Sequence, residues 1–423
     1  MRLRGPISPG KAIPLTPSPL KNASVFASLR HRNFQLYFFG QLVSNAGTWM
    51  QVIAQSWLVY QLGHSELTLG LVSFASAIPS LVTLPWSGVV VDRVPKRTLL
   101  ILTQTGAMLL AFVLAALVFT GLVQQWHIVA LAVGIGLVNS FDSPARQAFV
   151  VEMVGRDDMP NAIALNSLMF NSARVVGPAL GGLLLALVGA AWCFTINGIS
   201  FLAVIWSLWV MELHPSGRKL EGESPWDQFM NGIRQARSQL ELGGLILISL
   251  IFSVFAISYI PLLPAFVEQV LRQGPAAYGW LTAAFGAGAV IGAIIIANRQ
   301  RPGWRGRWLV TANVVFPIML AVFIFNTWIP LSYVLEFFMG AAFMVEYTMI
   351  NTLLQTSVDD HMRGRIMALY TITFLGLAPF GNLALGALSA RFGLGPSVAV
   401  FAVISLVLSL IVFRRIPRIR TLP

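Results

Sequence analysis

Runs of about 20 mostly apolar residues recur along the whole chain, each long enough to cross a hydrocarbon layer of about 30 Å as an α-helix. They fall at 34–62, 67–91, 98–123, 126–151, 162–188 and 192–211, and again at 245–270, 278–297, 308–328, 331–356, 366–390 and 395–413. A water-soluble core cannot take up that much apolar surface. Of the 423 residues 56% are hydrophobic and 10% charged, against roughly a quarter charged in an ordinary soluble domain. The expectation is an all-α polytopic membrane protein with twelve transmembrane helices. The single cysteine, Cys193, lies inside a span and leaves no intramolecular disulfide to form.

The formal charge of +12 might suggest a nucleic-acid partner, but its placement argues against one. Alternate loops hold 24 of the 28 Lys and Arg, all on one face of the proposed map. Only Arg272 and Arg391 fall on the other face, and Arg146 and Arg174 fall within spans. By the positive-inside rule this sets the protein in the cytoplasmic (inner) membrane with both termini cytoplasmic. Tryptophans at 57, 86, 126, 192, 209, 280, 308 and 328 lie near proposed span ends, where amphipathic rings sit well. Membrane lipids are therefore expected neighbours and nucleic acid is not.

The chain divides into a basic, Pro-rich tail (1–33), a six-helix half (34–211), a linker (212–243), a second six-helix half (244–413) and a short basic tail (414–423). In the linker, Ser224, Pro225 and Asp227 read as an N-cap, a first-turn proline and a capping acid. Apolar residues then repeat at helical spacing, as in a helix lying on a membrane surface. A shift of 204 residues lays Gly88 on Gly292, Asp142 on Glu346 and Gly182 on Gly386, so the halves read as repeats of one another. Two such halves with a site between them suit a transporter that rocks.

Span two ends in Gly88-Val-Val-Val-Asp92-Arg93-Val-Pro-Lys96-Arg97. This resembles the G-x-x-x-D-R-x-G-R-R loop of the major facilitator superfamily, with Pro95 where that family usually has glycine. Gly88 would admit a close helix, and Asp92 would face the positive N-terminus of span eleven. Arg93, Lys96 and Arg97 complete this gate. Span five carries Gly177-Pro178-Ala-Leu-Gly181-Gly182, similar to the back half of the motif in the superfamily's proton-coupled drug exporters. Its small residues would let the two halves approach and its proline would bend the helix. Three further segments, Asp142-Ser-Pro-Ala-Arg146, Asn161-Ala-Ile-Ala-Leu-Asn166 and Arg363-Gly-Arg365-Ile-Met-Ala-Leu, resemble the branch of siderophore and multidrug exporters. The resemblance implies proton-driven export of a small amphiphilic molecule by alternating access. An uncoupled facilitator, a lipid translocator or a non-transporting receptor are the alternatives.

Ionisable groups at membrane depth cost at least about 2.5 kcal/mol each at a span centre. Asp142, Arg146, Arg174 and Glu346 are placed there. Asp142 and Arg146 lie four apart on one helix face and can pair. The resemblance puts both acids beside a cavity lined by spans one, four, seven and ten, as proton carriers. A permanent network of the two acids and two arginines is the other reading. Glu336, nearer a span end, reads as a solvated mouth residue. Asn45, Gln51, Gln55, Asn166, Asn171, Tyr259, Tyr347 and Asn351 are the candidate substrate contacts.

Other chemistries are absent from the pattern. Gly5 to Lys11 almost spells a phosphate-binding loop, but Ala12 replaces the needed hydroxyl and no strand precedes it. No two histidines share metal-ligand spacing, and no G-x-S-x-G occurs. No cofactor, no metal and no enzymatic activity are expected, and the protein is expected to work as a monomer.

Overall fold

In lipid each backbone N–H and C=O must find its partner within the spanning segment, so an apolar chain of this kind resolves into helices. The computed structural model describes residues 27–155, 158–212, 239–298 and 303–422. The linker helix expected around Ser224 lies outside them, as does most of the N-terminal tail. Twelve helical spans follow in order: α1 Arg32–Gly63, α2 Glu66–Arg93, α3 Lys96–Phe119, α4 Gln125–Val154, α5 Met159–Val188 and α6 Ala190–Val210. The second half holds α7 Leu240–Gln269, α8 Pro275–Asn298, α9 Arg305–Phe325, α10 Ile329–Thr356, α11 Asp360–Phe392 and α12 Leu394–Arg415. Every span expected from the sequence is present; each begins slightly earlier than expected, and α3, α6, α7 and α9 also end earlier. All but α1 are apolar enough to cross a membrane by composition alone.

Two helices are not continuous. α7 runs as Leu240–Ile251, widens to a π-turn at Phe252–Ala256, tightens to a 3-10 turn at Ile257–Leu262 and resumes at Leu263–Gln269. Pro261 withdraws a backbone donor there. α11 widens likewise at Ile372–Gly376. The sequence reading gave both as plain helices.

Within the first half α1 packs on α5 and α6, and α2 on α4. In the second, α10 packs on α8 and α9. The halves meet along α5–α8 and α2–α11. The 204-residue shift is visible in these contacts. A Cβ on Gly182 would meet the Gly279 backbone of α8 at 2.7 Å, and one on Gly386 would meet the Glu66 carbonyl of α2 at 2.6 Å. The repeated glycines thus occupy equivalent places in the two inter-half contacts.

Twelve crossings put both ends of the described chain on one face of the bundle, the terminal face, with the distal face opposite. The halves are laced together near the distal face. The Gln269 amide donates to the Tyr60 hydroxyl and to Glu66 Oε1, both at 2.6 Å. The Gln61 amide donates to Glu268 at 2.7 Å, and His64 Nδ1 lies 3.4 Å from the same carboxylate. Trp57 was placed at a membrane edge by the sequence. It is instead buried, stacked on Tyr278 of the other half with ring centres 6.2 Å apart. At the terminal face, by contrast, Asp92 and Arg93 are exposed, and nothing stands within 4 Å of a Cβ built on Gly88 or Gly364.

Candidate functional site

Asp142 sits mid-helix in α4 and is 6% exposed. Its carboxylate takes hydrogen bonds from Thr103 Oγ1 at 2.7 Å and Gln104 Nε2 at 2.8 Å, and pairs with Arg146 one turn on. Arg146 in turn donates to the Gln41 side chain of α1. A buried charge survives when it is paired and hydrogen-bonded, and this one has three donors. The sequence supplied the pair, but it did not single out Thr103, Gln104 or Gln41. The signal was present as a Thr-Gln-Thr run inside an apolar span.

This pair forms part of the wall of a cavity of about 430 Å³ that Asn45, Trp49 and Asn166 also line. A second lobe of about 290 Å³ shares Thr48 and Asn139 with the first and adds Gln51 and Gln55. All the residues lining the first lobe come from the first half. The second lobe is closed by Ile260, Pro261 and Tyr278 of the other half. The space therefore opens away from the laced distal face. Asn45, Asn166, Gln51 and Gln55 are thus brought together as expected. Gln51 is already engaged, accepting from Asn197 at 2.6 Å.

Other candidates fall elsewhere. Tyr259 is 2% exposed and donates to Glu336 at 3.0 Å, packed among Phe316 and Phe323. Glu336 is fully buried, not a solvated mouth residue. It lies far enough into α10 for a broken helix, α7, to cover it. No residue of α10 lines either lobe. Tyr347 stacks with Phe343 at 6.3 Å, and Asn351 accepts from Gln355 at 2.5 Å. Asn171 donates back to the Ser167 carbonyl at 2.8 Å within its own helix.

The four mid-membrane charges do not form one network. Glu346 is fully buried, and neither carboxylate oxygen has a hydrogen-bond partner among the described residues. Arg174 makes no ion pair there. Its guanidinium lies 5.8 Å from the Trp49 ring centre, 5.5 Å from Phe285 and 5.1 Å from Phe343.

The expected gate is also arranged differently. Lys96 pairs with Glu152 at 2.8 Å and Arg97 donates to the Trp209 carbonyl at 2.5 Å, both within the first half. Asp92 and Arg93 have no partner among the described residues, so the contact of Asp92 with α11 is not made in this conformation. Gly88 likewise admits no close helix. Gly177 and Gly181 pack on α1 of their own half, at 2.5 Å from Trp49 Cβ and 2.9 Å from Met50 Cα for a built Cβ. Within this motif Gly182 and the Pro178 carbonyl reach across to α8, and one turn earlier the Arg174 carbonyl meets Gly286 of α8.

Known proteins place this arrangement. The chain is 26% identical over 400 residues to the multidrug efflux pump Tap of Mycolicibacterium fortuitum, covering 92% of this chain and 96% of that protein. It is 27% identical over 370 residues to the enterobactin exporter EntS of Shigella flexneri, covering 85% and 86%. In fold it is similar to a bacterial homologue of the lysosomal transporter Spinster, solved inward-facing and unoccupied. That likeness has a TM-score of 0.67 at 16% identity, over 95% of this chain and all of that one. The sequence model of the transmembrane secretion effector family matches residues 23–421. The chain is a multi-pass membrane transporter, not an enzyme, and it belongs to the transmembrane secretion effector family of the major facilitator superfamily.

Proposed function

We propose that the protein exports a small amphiphilic molecule of the drug or siderophore class by proton antiport and alternating access. The observation that carries this reading is the Asp142–Arg146 pair, held at membrane depth on the wall of a cavity that opens away from the laced distal face. With the basic loops in the cytoplasm, that conformation is inward-open and is loaded from inside.

Arg146, Thr103 and Gln104 hold the Asp142 carboxylate in this conformation. A proton arriving from the distal side would neutralise it and loosen Arg146, changing how the wall meets a ligand. Glu346 is the complementary group. Among the described residues it has no donor and no cation beside it, and rocking of the halves is the event that would bring water or a cation to it. One proton moving down 100 mV supplies about 2.3 kcal/mol, enough for roughly a 50-fold gradient of a neutral solute.

A growth screen of a deletion strain against toxic compounds selects a substrate. Purified protein in vesicles then shows substrate-dependent proton movement if the proposal holds. Flux without proton movement would mean a facilitator or lipid translocator, and binding without flux a receptor. Either result overturns antiport.

A further inference from the structure

We infer that the transported molecule is an organic anion bearing an aromatic ring, and that Arg174 with Trp49 forms the subsite that receives it. The inference relies on the proposed function only in taking this cavity as the binding place.

The argument is one of charge balance. Asp142 lines the cavity and is already matched by Arg146, with Thr103 and Gln104 filling further acceptor positions. A cationic ligand would find no unspent carboxylate there. Arg174 is the opposite case. A guanidinium carries five N–H donors and no acceptor, yet among the described residues this one makes neither a hydrogen bond nor an ion pair. Three ring faces surround it at 5.1–5.8 Å, and they offset a desolvated cation only in part.

Position points the same way. The rings belong to α1, α8 and α10, so the cation sits where the two halves meet. Of these four residues Trp49 is the one that lines the larger lobe, so it connects the guanidinium to the cavity. A ligand ring stacked on Trp49 would carry its anionic group to the guanidinium. A carboxylate offers the planar pair of acceptors that a guanidinium fork matches. The protein holds one rival anion. Glu346 lies three residues beyond Phe343 on the same side of α10, but it makes no contact with Arg174 in this conformation.

The test is equilibrium binding to the purified full-length protein in detergent, with 2-naphthoate and 2-naphthamide as probes that share a ring system and differ in charge. The expected result is a preference for naphthoate of about tenfold or more, the scale of one well-placed charged hydrogen bond. Arg174→Gln should bring the two probes to parity and Arg174→Lys should keep the order. Trp49→Leu should weaken both. Glu346→Gln should preserve or sharpen the preference. Equal affinities in the parent protein overturn the inference, and this reading needs no variant to fold. A preference that survives Arg174→Gln overturns it too. Loss of the preference in Glu346→Gln would make Glu346 the partner of Arg174 and also overturn it. No gradient is involved, so failure here and failure of proton antiport remain separate results.

Discussion

Gly182 of α5 and Gly279 of α8 face each other across the boundary of the two halves, so closely that a Cβ on Gly182 would stand 2.7 Å from the Gly279 Cα. A Leu at 182 can fit only by parting those helices. Overpacking of this kind costs typically about 1–3 kcal/mol, and here it falls on the conformation closed at the distal face. Gly182→Leu should insert, run as a monodisperse species and keep its helical content while transport drops sharply. Gly177→Leu should differ, because Gly177 packs on α1 of its own half, and should lower the unfolding temperature of the purified protein. Parent-like transport by Gly182→Leu would show that this contact tolerates bulk.

Asp142→Asn should abolish accumulation driven by a proton gradient while leaving substrate counterflow measurable. It also strips Arg146 of its counter-charge. Breaking a buried ion pair from one side costs about 3–5 kcal/mol, so thermal stability in detergent should fall as well. A variant that still concentrates substrate like the parent removes Asp142 from coupling.

Glu346→Gln should separate those two effects. Among the described residues neither oxygen of Glu346 holds a partner, so the amide sacrifices no bond and the melting temperature should stay near that of the parent. Gradient-driven accumulation should nevertheless be lost. Unchanged accumulation would leave Glu346 without a coupling role.

Gln269→Leu should loosen the distal closure. The variant loses both donations from Gln269 and leaves the buried Glu66 carboxylate short of a donor, at a cost of about 1–3 kcal/mol. Cysteines at positions 61 and 268 should crosslink less readily than in the parent background. Equal crosslinking would show that the remaining distal contacts suffice.

Asp92→Asn should move the population further toward the conformation open at the terminal face. Asp92 is exposed and unpartnered here, so its contribution belongs to the alternate state, where facing a helix N-terminus is worth about 0.3–1 kcal/mol. Labelling of cysteines at the terminal-face ends of α2 and α11 should rise. Unchanged labelling in a well-folded variant removes the gating role.

How much of this was legible in advance varied with the range of the interaction. Span positions and the Asp142–Arg146 pair follow from hydropathy and from helical spacing, which are local. The amides of α1 came together with Asn166 because several polar groups in apolar helices have few places to go. Errors arose wherever the partner sat on a distant helix. Glu336 was placed by counting from the end of its span, which could not reveal that the broken α7 would bring the Tyr259 hydroxyl to it. The alternative of one network of two acids and two arginines rested on charge complementarity alone, whereas the neighbours of Arg174 are rings from three other helices. Nothing in the local sequence pairs Gln269 with Glu66, because they stand 203 residues apart on different halves.

One consequence concerns how the protein comes to be made. α1 is the helix that contributes Asn45, Gln51 and Gln55 to the cavity, and its mean hydropathy is lower than that of the other eleven spans. Within this chain it is synthesised before the other eleven spans. Its amides gain helical neighbours only as later spans are made, beginning with Ser73 and Ser76 of α2 beside Gln55. Stable integration of α1 therefore waits on later segments, with the apolar α2 following after a two-residue turn and drawing it in as a hairpin. Truncating the nascent chain before α2 should leave α1 extractable by alkaline carbonate, whereas chains that include α2 should resist extraction.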